Sequence, residues 1–280
     1  MNDDPKTNLL EHSQAKLELY KKYLSAYLEI LYRADFCERI YIFDLFCGEG
    51  VYKDGSKGSP IIALETIKEH YERNKNCKPI TLWFNDSEDS EIEKDVPKID
   101  RVRRFITEQF QINHVSFEFF KEDYRNILPR ATQQIKEKTM GLFFLDPYGY
   151  KHISINDLQS ILQIRGTEIF LWLPIAHMYR FANSARHSES PGVKPLRSFL
   201  NELFNENIPT FTSQKNFVQQ IKDQFRSKLQ KIFVDAFTIE RDQSNIYALF
   251  FFSRHIKGFE KMLEAKWIID RYRGQGFSSQ

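Results

Sequence analysis

Four carboxylates sit where a ligand site would want them. Asp44, Asp86, Asp123 and Asp146 each lie at or just beyond the end of a short apolar run, at residues 40–45, 80–86, 115–120 and 141–145. The runs are rich in β-branched and aromatic side chains, which predicts buried strands. A carboxylate at a strand end can balance a cation or accept hydrogen bonds from hydroxyls and amines. Asp44 is followed by Leu45-Phe46-Cys47-Gly48-Glu49-Gly50. Glycine lets the backbone turn tightly and pass close to a ligand, so this pattern suits a ligand with a cationic or hydroxyl-bearing end. A dinucleotide pyrophosphate would need G-x-G-x-x-G entering a helix, and that spacing is missing. A strand followed by an ordinary glycine loop is the competing reading.

The elements around these acids decide between the two. Gly58-Ser59-Pro60 carries helix-start signals, with Ser59 as cap and Pro60 in the first turn, and a helical face continues to about residue 71. Further helical patterns cover 98–110, 127–138 and 154–162, the last opened by a Ser154/Asp157 capping box. A fifth strand is expected at 167–173, stopping at Pro174. Strands alternating with helices imply a parallel sheet covered on both faces, whose ligands bind outside the carboxyl ends of the strands. Acids are common in loops, but four in register at strand ends favour a site. Residues 17–31 form an amphipathic helix with Leu17, Tyr20, Leu24, Tyr27, Leu28 and Leu31 on one stripe. It reads best as packed on the core, and alternatively as a lid or docking surface. Beyond residue 174 we expect a loop at 183–195, helices at 196–205 and 214–230, an antiparallel pair at 233–240 and 245–252, and a last helix at 259–272.

Asp44-Leu-Phe-Cys-Gly-Glu-Gly50 resembles motif I of class I S-adenosylmethionine (SAM)-dependent methyltransferases. Together with residues 17–27, Gly58-Ser-Pro-Ile-Ile-Ala-Leu64, Leu145-Asp-Pro-Tyr-Gly149 and Ala248-Leu-Phe-Phe-Phe-Ser-Arg-His255, it resembles the three-Cys-motif partner (TcmP) family over most of residues 14–270. Cys47 and Glu49 stand where that family usually has Ala and Pro. The resemblance implies an α/β fold of the Rossmann-like class I methyltransferase type. Its seven-stranded, mostly parallel sheet would have an antiparallel closing hairpin and a helical insertion after strand five. The expected organisation is 1–174 for the N-terminal helix and SAM-binding half, 175–231 for a helical substrate-recognition lobe, and 232–280 for the closing hairpin and last helix. It also implies SAM as cofactor and a neighbouring three-Cys-motif protein as partner.

The chemistry of SAM then distributes the residues. Asp44, Gly48 and Gly50 are expected at its positive methionine end, Asp86 at the ribose hydroxyls, Asp123 at the adenine amine, and Phe84, Phe46 or Tyr124 against the adenine ring. Asp146-Pro147-Tyr148 is the expected catalytic turn. The comparable loop of amino-methyltransferases acting on nucleic acids reads Asp/Asn/Ser-Pro-Pro-aromatic, and this chain has one proline fewer. There the carboxylate and a proline carbonyl would hold an exocyclic amine while the ring stacks on a flipped base. Cytosine C5 methylation fits worse, because it needs a nucleophilic cysteine, usually in a Pro-Cys dipeptide, and none occurs. His177, Arg180, Arg197, Lys222 and Arg226 are the candidate substrate contacts, with His177 as a base and the cations for phosphates. A tight turn at 146–149 and solvated surface residues beyond it are the bland alternatives.

Charge supports a nucleic-acid partner mildly. The net formal charge is +2, yet residues 175–280 carry 16 Lys+Arg against 10 Asp+Glu, while 1–174 carry 24 against 28. A basic lobe after an acidic half fits a polyanion, and a solvated helix surface gives the same count. Three cysteines, far apart and without a C-x-x-C pair, argue against a disulfide framework and against a metal site. No apolar run approaches the roughly 20 residues of a membrane helix, and the N-terminus lacks signal-peptide order, so a cytoplasmic location is expected. The expected function is methyl transfer to nucleic acid. The alternatives are a non-catalytic SAM-binding partner subunit and a protein or small-molecule methyltransferase.

Overall fold

The fold turns on a strand that has neighbours on both sides. This computed structural model describes residues 11–74, 77–87, 91–93, 96–147, 149, 153–188, 190–242, 245–271, 274 and 276–278. The chain divides into two compact units, residues 1–146 with 164–167, and residues 147–163 with 168–280.

The first unit begins with helix α1 (Glu11–Arg33), longer at both ends than its apolar stripe predicted. Then come β1 (Arg39–Asp44), α2 (Ser59–Arg73) and β2 (Ile80–Asp86). A small antiparallel ribbon, β3 (Glu91–Glu93) and β4 (Val96–Pro97), leads into α3 (Lys98–Gln109). The unit continues with β5 (Val115–Lys121), α4 (Tyr124–Thr132) and β6 (Thr139–Leu145). The strand order is β6-β1-β2-β5, all parallel. In register, Asp44 lies opposite Phe84 on one side and Phe144 on the other, so the carboxyl ends of three strands are level. The chain moves outward from β1 through β2 to β5 and then returns to β1's other flank with β6. That reversal is the topological switch point where open α/β sheets bind ligands.

Packing explains these elements. Every residue of β2 is buried, as expected for a strand covered on both faces. Phe43 stacks on Phe143 with centroids 4.4 Å apart and meets Trp83 edge-on at 5.6 Å. On α1, Leu19, Tyr20, Tyr23, Leu24 and Leu28 are fully buried, and the Tyr20 ring lies 4.4 Å from Phe144. The core-packing reading of this helix therefore holds. One helix differs from expectation. The pattern read at 127–138 is α4, which starts at Tyr124 because Asp123 caps it, and which ends at Thr132. Ile135 continues the apolar repeat from the turn that follows and is buried there, so periodicity alone overran the helix.

The second unit contains α5 (Ile155–Leu162), β7 (Thr167–Leu173), α6 (Ile175–His187), α7 (Lys194–Phe204) and α8 (Gln214–Lys228). After these come β8 (Phe233–Asp242), β9 (Asn245–Ser253), α9 (Ile256–Ile269) and β10 (Gly276–Ser278). The Ser154/Asp157 capping box of α5 is formed in both directions. β9 runs antiparallel to β7 and to β8, giving the closing hairpin, and β10 adds in parallel beside β8. That last strand had no signal in the sequence. Helix α6 reaches into the expected loop because Ala182 and Ala185 are buried on its inner face. Phe225 of α8 meets Phe250 and Phe252 edge-on, at 5.3 and 5.1 Å. Among the described residues no helix is long and apolar enough to cross a membrane.

Candidate functional site

The turn after β1 is built by its glycines and closed by its neighbours. Gly48 and Gly50 adopt φ of 63° and 71°, the left-handed region, which costs other residues strain. A Cβ on Gly50 would also come within 3.1 Å of Val102 Cγ2 on α3. The Gly58 amide donates to the Gly50 carbonyl at 2.6 Å, folding the loop onto the start of α2. Gly58 is the N-cap there, one residue before the expected Ser59, and Pro60 occupies the first turn. Asn85, which sequence reasoning missed, pins the strand ends. Its side-chain amide donates to the Leu45 and Glu122 carbonyls, both at 3.1 Å, and its oxygen accepts from the Glu122 amide at 3.2 Å. A buried amide before the acidic strand end was the available signal.

Asp44 is the unusual group. It is 2% exposed, and no donor meets hydrogen-bond geometry with either of its carboxylate oxygens. Burial raises its pKa from the ordinary 3.8 to about 7. The Ser59 hydroxyl opposes the rise, Asp146 and Asp86 add to it, and Lys16 opposes it. An orphaned buried carboxylate is costly, and a cationic ligand group would satisfy it. Asp86, 1% exposed, accepts from the Gly48 amide at 2.7 Å and from the Ser87 amide at 2.9 Å. It thus holds the glycine turn that follows Asp44. Asp123 is exposed and caps α4, accepting from the Arg125 amide at 2.7 Å. Phe46 stacks on Tyr124, with centroids 4.9 Å apart.

Asp146 is not alone at the end of β6. Lys16 of α1, only 7% exposed, forms an ion pair with it. Sequence reasoning missed Lys16, since a lysine inside a helical stripe reads as a solvated residue. Asp44, Gly48, Asp86 and Asp146 are therefore brought together, with Lys16 beside them. Pro147 is buried, and Tyr148 lies outside the described residues. Burial pushes the thiol pKa of Cys47 well above its usual range and that of Cys37 to about 11, so neither is a ready nucleophile. Among the described residues no group of three or more His, Cys, Asp or Glu is arranged to hold a metal ion.

The expected substrate contacts all lie in the second unit. His177 and Arg180 are exposed on α6, with the His177 ring 5.1 Å from Phe181. Arg197 donates to the Ser188 carbonyl at 3.3 Å. Lys222 lies 3.6 Å from Asp235. Arg226 donates twice to the Val234 carbonyl, at 3.0 and 2.8 Å. Lys215 pairs with Glu240 at 2.8 Å, and Lys228 donates to Asn205 at 2.6 Å. The basic side of α8 is thus engaged within its own unit. Asp235 is shared by Lys222 and by Lys266, which is buried on α9.

No family model matches the chain, and no curated protein matches it. Among solved structures, a Legionella pneumophila protein described by the family model DUF519 is similar over 95% of this chain and 93% of its own, at TM-score 0.54 and 10% identity. That likeness shows a shared fold. An O-methyltransferase from Bacillus cereus in complex with SAH aligns over 83% of this chain and 80% of its own (TM-score 0.43, 13% identity). The O-methyltransferase TomG from Streptomyces achromogenes in complex with SAM aligns over 86% of both chains (TM-score 0.41, 12% identity). Those two scores are too low to carry weight.

Proposed function

We propose that this chain is a SAM-dependent methyltransferase. The observation that supports it most is Asp44, a buried carboxylate with no donor in hydrogen-bond geometry on either oxygen, at the switch point of a parallel sheet and followed by a glycine turn. The amino-acid end of SAM carries an ammonium, which matches what Asp44 lacks. Gly48 and Gly50 let the backbone lie close, Asp86 keeps the turn in place and accepts from the ribose, and Phe46 with Tyr124 offers an aromatic wall for the adenine. When bound, SAM supplies a methyl group on a sulfonium centre. The chain's own part is to hold the acceptor beside it, with Asp146 as the orienting carboxylate.

For the acceptor we propose an amine of a nucleic acid. The Asp146-Pro147 dipeptide after β6 supports this reading, and within the second unit the exposed His177 and Arg180 of α6 suit a polyanion. Membership of the TcmP family belongs to the same proposal and is supported by the motif set quoted above. Calorimetric titration with SAM and SAH tests the donor, and a tritiated-methyl transfer assay with RNA, DNA and protein acceptors tests the reaction. Absence of donor binding would overturn the reading. Donor binding without transfer to any of these acceptors would make the chain a SAM-binding partner subunit.

A further inference from the structure

Lys16 is the cation set against the aspartates around Asp44. Asp86 and Asp146 both act on Asp44 as like charges, and the cation that acts against them is Lys16. Lys16 is buried on α1 and paired with Asp146. A lysine is buried only where a partner compensates its desolvation. The amino-acid end of a methyl donor is a zwitterion. Its ammonium can meet Asp44, but its carboxylate then enters a site already holding three aspartates. It needs a cation there, and Lys16 stands beside that place on a flexible four-carbon stem.

We propose that Lys16 is a transferable counter-ion, which holds Asp146 before the donor arrives and then moves to the donor's α-carboxylate. This rests on the donor reading of Asp44 and deepens it. The move releases Asp146 to accept from the methyl acceptor, so donor binding precedes acceptor binding. Lys16 acts as a positioning residue, touching the donor's far end and setting whether the orienting carboxylate is free to accept from the methyl acceptor.

The test compares binding of SAH with that of 5′-deoxy-5′-methylthioadenosine, which has no amino-acid end. Replacing Lys16→Gln should weaken SAH by about 10- to 100-fold, the loss of one charge-assisted bond, and leave methylthioadenosine unchanged. Replacing Asp146→Asn should tighten SAH severalfold, because Lys16 no longer has to leave a partner. That gain should vanish in the double variant. The double variant also strands no buried charge, so it carries the same comparison if Lys16→Gln alone does not fold. Equal weakening of both ligands, unchanged SAH affinity, or weaker SAH binding in Asp146→Asn would overturn the role of Lys16. Wild-type protein that binds neither ligand would overturn the donor reading itself.

Discussion

At the scale of single residues, Asp44 makes the site a proton-linked one. Its carboxyl is held at about 7 by burial against an ordinary 3.8. Without ligand, its contribution to stability is full below about pH 4 and is lost as pH rises through about 7. A cationic ligand needs the ionised form, so binding must expel the proton at lower pH. Donor affinity is therefore expected to fall about tenfold per unit below pH 7, and titration calorimetry in buffers of different ionisation heat reads the proton released. In Asp44→Asn the affinity should be lower and nearly flat with pH. A flat profile in the wild type would refute the linkage. Asn85 carries a different prediction. Replacing it by Ala leaves three backbone groups at the ends of β1 and β5 without partners, each costing about 1–3 kcal/mol. Urea unfolding of Asn85→Ala should show a loss of about 3 kcal/mol or more on that basis.

At the scale of elements, the turn between β1 and α2 is where conformation and ligand meet. Gly50→Ala forces a Cβ into the left-handed region and against Val102. We expect a loss of about 1–2 kcal/mol from backbone strain, with donor affinity falling alongside, measurable by thermal unfolding and calorimetry on the same variant. The strands were legible because β1, β2, β6 and β7 are near-continuous apolar runs, with Asp44, Asp86 and Asp146 marking the ends of the first three. Helix α4 overran because buried Ile135 extends the apolar period past the last helical residue. Lys16 was illegible for a related reason. Helical spacing identifies a face, but it cannot say that one charged residue on that face has a carboxylate waiting 130 positions away. The basic residues of α8 were read from charge alone, and charge does not reveal that Val234, Asp235, Asn205 and Glu240 already receive them. Strand β10 is three residues long, too short for any period.

At the scale of the molecule, positive charge is divided between structure and surface. Asp235 holds Lys222 and the buried Lys266 within the second unit, and burial lowers the Lys266 pKa while Asp235 opposes that shift. Removing one partner of such a cluster strands charge, so Asp235→Ala should destabilise by about 3–5 kcal/mol, read by chemical denaturation. The same accounting sharpens the nucleic-acid test. Log affinity should fall with log salt, with a slope of about −0.9 per phosphate contacted on duplex DNA. Neutralising Arg180 should reduce that slope by about one contact, while neutralising Lys222 or Arg226 should lower stability and leave the slope alone. Equal slopes in all variants would remove Arg180 from the interface.

The pairing of Lys16 with Asp146 also has a consequence for how the protein is made. Translation at about 5–20 residues per second delivers the lysine many seconds before its partner, which lies 130 residues later. β1 likewise waits for β6 to complete its second flank. Until then the buried side of α1 has no β6 to cover it, and the carboxylates of the site cannot meet. The first unit should therefore gain its compaction late and in one step on the ribosome. Nascent chains tethered through an arrest peptide should generate folding force only after residue 146 has cleared the exit tunnel. Lys16→Gln should weaken that pull without moving the chain length at which it begins.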